Sequence, residues 1–324
     1  MYNFLTNCRR LLMPLTLILA PLCASAWQVG DLGEFRFERV NEGVWVMHGP
    51  LGDPSVANRG FMNNPAIVLT PGGAVLVDPG SSTPVGRQVL REVKRVTDRP
   101  VIAVFDTHVH GDHWLGNEAV REAFPEARIY GHPEMIAQAG GGEGQRWTEV
   151  MARLTEEASA PTRPVPPDQG VGEGTVLEIG GHHFRIHSRV PAHTDTDIMI
   201  EHVESRTLFL GDNGFVDRLG RFDGSASMHG NIEVLRYARG LGMEVYVPGH
   251  GRSGDAEAVI DPFLSYLEKL RGIVKEGYDE GLADYEIKQK ALPRLVRYHS
   301  WVGFEENFGR HVNKMYLEVE ERDM

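Results

Sequence analysis

The chain has 324 residues, with 45 acidic against 33 basic side chains and a formal charge of −12. That balance argues against nucleic acid or an anionic membrane as partner, because either would select for a cationic face. At 41% apolar residues the chain is long enough to bury a sizeable core, as one large α/β domain or two small ones.

Arg9 and Arg10 carry the only charges ahead of an apolar run over 11–22, and Ala24-Ser25-Ala26 is a small-x-small site. The run is too short to cross a bilayer comfortably, so it reads as a cleavable export leader over 1–26 rather than an anchor. The mature chain is expected to start at Trp27 and to be periplasmic or secreted. The match to twin-arginine export after Arg9-Arg10 is loose. Both cysteines, Cys8 and Cys23, fall in the leader, so residues 27–324 have no thiol and fold without a disulfide.

Beyond the leader, 35–40 alternates like a strand and Asn41-Glu42-Gly43 turns into a second strand over 44–47. Strands over 66–69 and 74–77 flank Pro71-Gly72-Gly73 as another hairpin, closed by Asp78-Pro79-Gly80. Val85, Val89, Leu90, Val93 and Val96 recur at helical spacing and predict a helix over 84–97. A buried-type strand over 101–105 follows, then a helix over 118–124, a strand over 127–130 and a helix around 146–157. Residues 140–144 read as a flexible loop at a pocket rim, since no strand leads into them as a phosphate-cradling turn requires. Residues 160–174, rich in proline and glycine, read as a surface linker.

Strand patterns resume over 175–179 and 183–188 around Gly180-Gly181, and over 198–202 and 207–210 around Glu204-Ser205. A helix over 232–241 and a strand over 245–247 complete the pattern. From about residue 256 the chain is helical, with Phe263, Leu264, Leu267 and Leu270 on one face. Trp301, Phe304 and Phe308 read as core. Strands and a helix, then strands and a helix again, suit a four-layer αββα sandwich in which each half supplies one sheet. Residues 27–324 are expected to be a single α/β domain with a helical C-terminal part.

Of 14 histidines, the informative ones begin where the strand over 101–105 ends, in Thr107-His108-Val109-His110-Gly111-Asp112-His113. In extended backbone, positions i and i+2 point the same way, so His108 and His110 can grip one ion together. Past the turn that Gly111 permits, Asp112 and His113 can face a second ion. His193, Asp212 and His250, each expected at a strand end, complete seven nitrogen and oxygen ligands, enough for two ions sharing a carboxylate. His182-His183 reads as hairpin surface, and His132 as a turn into a helix.

The His-x-His-x-Asp-His run, the later His193, Gly211-Asp212 and Pro248-Gly249-His250-Gly251, in that order, resemble the metallo-β-lactamase-fold hydrolases over about 42–252. The resemblance implies one metal on His108, His110 and His193, a second on Asp112, His113 and His250, and Asp212 bridging them. Zinc is the default for such a site, with iron or manganese as alternatives. It further implies that two ions generate hydroxide from a shared water and polarise a carbonyl, with Asp112 orienting the nucleophile as the catalytic residue. The reaction is then hydrolysis of an activated carbonyl or phosphoester in a small-molecule substrate.

Within that family, Asp212 in Leu210-Gly211-Asp212 is most similar to the glyoxalase II branch of thioester hydrolases, although no glutathione-binding basic pattern is matched. The leader and the helical tail around Asn313-Lys314-Met315-Tyr316 resemble periplasmic hydrolases associated with sulfur-oxidation and quinoprotein systems. Phe215 stands where the β-lactamases often have a lysine and the lactonases a tyrosine, so both activities are disfavoured. A mononuclear-iron persulfide dioxygenase and a non-catalytic metal-binding protein are the remaining alternatives. Position after Asp212 nominates Phe215, Asp223, Ser225 and His229 as pocket contacts.

Overall fold

A computed structural model describes residues 35–323. The leader, its cleavage site and Trp27 lie outside them. One sheet takes β1 (Glu38–Asn41), β2 (Val44–Val46), β3 (Ala66–Thr70), β4 (Gly73–Val77), β5 (Val101–Phe105), β6 (Arg128–Gly131) and β7 (Gln169–Gly170), paired in that order. The other takes β8 (Val176–Ile179), β9 (His182–His187), β10 (Met199–His202), β11 (Thr207–Phe215) and β12 (Val245–His250), paired as β12-β11-β10-β9-β8. The helices are α1 (Thr83–Val96), α2 (Gly111–Trp114), α3 (Asn117–Ala123), α4 (Pro133–Gln138), α5 (Gly144–Leu154), α6 (Met228–Gly240), α7 (Ala256–Val259), α8 (Asp261–Asp279), α9 (Asp284–Ala291) and α10 (Phe304–Asp323).

Period-2 alternation makes the layers. On β4, Ala74 and Leu76 point outward to Val85, Val89 and Val93 of α1, whereas Val75 and Val77 point inward. The inward set of the first sheet meets Phe184, Ile186, Ile200, Phe209 and Val247 of the second. On the second sheet's far face, Leu208, Leu210 and Tyr246 pack on α6, α8 and the C-terminal helices. Three apolar interfaces between four layers are what an αββα sandwich requires. Parallel pairing of β4 with β5 and of β11 with β12 is achieved by helical crossovers, whose starts are capped by Ser82 and Ser227.

Several elements differ from the sequence reading. β1 begins at Glu38, because Phe35 and Phe37 leave the ladder to pack in the outer core, Phe35 edge-on to Phe61 at 5.2 Å. Residues 140–144 are not a loop: a π-helical turn over Ala139–Glu143 joins α4 to α5, with Gly142 at φ 129° accommodating the extra residue. The proline-rich linker supplies β7 and buries Val171 between the sheets. β11 runs on to Phe215 instead of stopping at Leu210, with register shifts either side of Gly211. α6 starts at Met228, four residues earlier than the apolar spacing predicts.

Candidate metal centre

The centre lies where loops from both sheets converge. β5 ends at Phe105, and the chain then carries His108 in a bend and His110 in extended backbone before α2 opens at Gly111. A side chain at Gly111 would strike Trp147 of α5, with its Cβ 2.8 Å from that of Trp147. His193 comes from the loop between β9 and β10, Asp212 from inside β11 and His250 from the last position of β12. Asn64 ties the sheets together here: its side-chain amide donates to the carbonyls of Pro248 and Gly251, at 2.9 and 2.7 Å.

All seven predicted ligands are buried and come together. His108, His110, His193 and Asp212 present ligand atoms within 4.8 Å of one another, and Asp112, His113 and His250 do the same. His193 Nε2 is 3.1 Å from His110 Nδ1, and Asp112 Oδ2 is 3.3 Å from the Nε2 atoms of both His113 and His250. Asp212 divides its oxygens between the groups. Oδ1 lies 3.1 Å from His113 Nε2 and 3.4 Å from His250 Nε2, whereas Oδ2 lies 3.5 Å from His193 Nε2 and 3.9 Å from His108 Nε2. A carboxylate with one oxygen toward each cluster has the geometry of a bridge.

Four of the five histidines have a fixed partner on the outward ring nitrogen, which sets which nitrogen faces inward, whereas His193 Nδ1 has none among the described residues. His113 Nδ1 bonds Asp78 Oδ2 at 2.7 Å, His250 Nδ1 bonds the Met62 carbonyl at 2.8 Å, and His108 Nδ1 bonds Thr107 Oγ1 at 3.0 Å. His110 Nε2 bonds Asp223 Oδ2 at 3.1 Å. Asp78 does more than orient His113. It also accepts from the Thr107 amide and hydroxyl, both at 2.8 Å, so one buried carboxylate fixes the segment that launches His108. The sequence reading took Asp78 for a turn residue. The available signal was an acid placed directly after the wholly apolar β4.

The donor set fits cations. His108 Nε2, His113 Nε2 and Asp212 Oδ1 are buried without a hydrogen-bond partner, which no folded core tolerates cheaply. Burial, aided by its histidine neighbours, holds His108 well below the usual imidazole range, and burial pushes His193 down to about 3. Both are therefore neutral and able to donate a lone pair. Burial opposes charge on Asp112 and Asp212 as well, but His113 and His250 outweigh it and keep both carboxyls well below their ordinary range. The same pairings raise His113 and His250 against the pull of burial.

A cavity of about 360 Å³ opens over the centre. Trp147, Val150, Met62 and Phe215 are among its apolar lining residues, and Arg218 and Arg221 bring positive charge to it. Of the nominated contacts, Phe215 and Asp223 line this cavity. Phe215 is fully buried and stacks on His250 at 5.7 Å, and a Cβ on Gly220 would overlap its Cζ, where a tyrosine hydroxyl would need room. Ser225 and His229 do not line it. Ser225 is exposed and donates to Asp223, and His229 is turned to Glu318 of α10 at 2.8 Å. Position after Asp212 could not reveal this, because Glu318 is 89 residues further along the chain. Arg218 and Trp147 were missed for the same reason.

Comparison with known proteins agrees with this geometry. The family model described as the metallo-beta-lactamase superfamily matches residues 59–250. A hydroxyacylglutathione hydrolase of a Synechococcus species is 32% identical over 165 residues, covering 50% of this chain and 53% of that protein. A probable metallo-hydrolase of Streptococcus pyogenes is 25% identical over 195 residues, covering 55% and 75%. The chain thus spans about half the length of the hydroxyacylglutathione hydrolases it matches. Among solved structures, a metallo-beta-lactamase from Pontibacter korlensis superposes with a TM-score of 0.57 at 19% identity, over 72% of this chain and 99% of that one. The four-layer fold, the paired histidine and aspartate clusters and the matched family model lead to one conclusion: this chain belongs to the metallo-beta-lactamase superfamily.

Proposed function

We propose that the protein hydrolyses an activated carbonyl, of thioester or ester type, at a two-metal centre, with zinc as the resident ion. The observation that carries this reading is the divided carboxylate of Asp212, with one oxygen toward each ligand cluster. His108, His110 and His193 would hold one ion, and Asp112, His113 and His250 the other. When bound, the pair would supply Lewis acidity for the acyl carbonyl and lower the pKa of a shared water toward neutrality.

The chain's own groups do the rest. Trp147 and Met62 exclude water from one side of the cavity and favour an apolar acyl portion. Asp112 lines the cavity floor and is held ionised, so it can accept a hydrogen bond from the attacking water and fix its direction. The outer partners Asp78, Thr107, Asp223 and the Met62 carbonyl would keep His113, His108, His110 and His250 in the tautomer that points a lone pair inward. Phe215 offers neither an ammonium nor a hydroxyl to a substrate carboxylate or lactone, which weighs against the β-lactamase and lactonase readings.

Metal content paired with a substrate panel tests the proposal. About two zinc per chain, with turnover of thioesters or esters lost in Asp212→Ala, is the expected result. About one iron per chain with oxygen uptake on persulfides would replace it with the dioxygenase reading. Metal-replete protein inert on acyl, lactone and phosphoester panels would leave only a binding role. The leader pattern supports export to the periplasm or beyond. Amino-terminal sequencing of the protein from a periplasmic fraction should begin at Trp27, and retention of 1–26 in the cytosol would refute it.

A further inference from the structure

A second group of potential ligands sits far from the centre. His182 opens β9, His202 closes β10, and Glu204 lies in the turn that leads to β11. They come from two separate hairpins, yet their ligand atoms all lie within 4.8 Å of one another. His202 pairs in register with Thr207, the first residue of β11, whereas Asp212 lies about five residues along that strand, roughly 16 Å away at 3.3 Å per residue. No residue is shared with the catalytic cavity.

Two ligands of one tetrahedral ion, with bonds of about 2.0–2.1 Å, stand about 3.3 Å apart. His202 Nε2 is 2.9 Å from His182 Nδ1 and 3.4 Å from Glu204 Oε2. Between His110, His193, Asp112, His113 and His250 at the centre, the corresponding separations are 3.1–3.3 Å. The outer contacts follow the same logic in both places. His202 Nδ1 bonds Ser205 Oγ at 2.6 Å, and that hydroxyl is fixed by Thr207, which leaves Nε2 to face the cluster as Thr107 does for His108. Glu204 Oε1 accepts from the His183 amide and lies 2.8 Å from the His183 ring, so the carboxylate is anchored with Oε2 toward His202. His202 is fully buried, whereas Glu204 is open to solvent, giving an ion a rigid floor and a route in.

We propose that His182, His202 and Glu204 form a peripheral site for a zinc-class divalent ion that clamps the β8–β9 hairpin to the β10–β11 turn. Binding shifts the His182 proton from Nδ1 to Nε2 by exchange with solvent, puts the ion where that hydrogen lay, moves the two nitrogens apart by a few tenths of an ångström, and leaves the fourth position to water. The site is structural and takes no part in turnover.

The test uses tag-free, chelator-stripped protein reloaded with excess zinc and separated from free metal by gel filtration. Zinc per chain is measured for wild type, His182→Ala/Glu204→Gln and Asp212→Ala. The double variant should hold one equivalent less than wild type while hydrolysing active substrates within about twofold of the wild-type rate. Asp212→Ala should keep the peripheral equivalent. Equal zinc in wild type and double variant would overturn the proposal, leaving an ordinary histidine hydrogen bond. That difference is read between two proteins with the same catalytic centre, so it stands or falls separately from the proposed hydrolysis. Should the double variant not fold, Glu204→Gln alone, at an exposed position, gives the same comparison.

Discussion

Asp78 offers the sharpest test of how the centre is held. Its carboxylate accepts three buried hydrogen bonds, from the Thr107 amide, the Thr107 hydroxyl and His113 Nδ1, at 2.8, 2.8 and 2.7 Å. Asp78→Asn keeps the shape and tolerates the residue's φ of 51°, a left-handed value that asparagine adopts readily. It loses the charge-assisted bond to His113, a bond of about 1.5–3 kcal/mol. The expected cost is therefore 10–100-fold in metal affinity, the usual range for a removed outer partner. Asp78→Ala should be worse by a different route. It leaves three buried donors without an acceptor, at about 1–3 kcal/mol each, and adds backbone strain of about 1–2 kcal/mol. Allowing for water entering the gap, a stability loss of roughly 3–6 kcal/mol is expected. Competition with a chromogenic chelator reads the first variant, and urea unfolding of metal-free protein reads the second. Wild-type metal affinity in Asp78→Asn, together with equal stability of the two variants, would refute the assigned role.

Three other outcomes follow from the structure. A Cβ on Gly249 would overlap Asp212 Oδ1 and crowd the Gly211 carbonyl, so Gly249→Ala should displace the bridging carboxylate and lower turnover at least tenfold; steady-state kinetics with metal analysis would check it. His311 sits between the Tyr266 hydroxyl and the Gly220 carbonyl, and burial pushes it down to about 4 from an ordinary value near 6.5. Below pH 6.5 the unfolded chain takes up this proton and the folded one resists it, so stability falls as pH drops toward 4, by about 3 kcal/mol at most. His311→Gln can keep both contacts and should flatten that part of the urea-stability profile; an unchanged profile would show that other groups dominate. Chelator should lower the melting temperature, since each ion present at 100 times its Kd adds about 2.7 kcal/mol to the folded state. A melting point indifferent to chelator and zinc would contradict an ordered metal centre.

The sequence by itself determined the layers and the candidate ligands. Period-2 alternation on β4 and helical spacing on α1 depend only on local geometry, and His108, His110, Asp112 and His113 lie within six residues of one another, so their cooperation is visible without a fold. Asp212 and His250 were legible because each follows an apolar strand pattern and, taken with the first cluster, completes the ligand set. Tertiary structure alone decided everything that rests on a distant partner. Asp78 reads as a turn until Thr107 and His113 are placed on it. His229 reads as a pocket contact until α10 brings Glu318 to it. The pairing of His182 with His202 needs two hairpins laid side by side in one sheet. Hydrogen bonding acts over about 3 Å and is indifferent to separation along the chain. Periodicity can therefore say which face a residue takes, but only the packed layers say which residue it meets there.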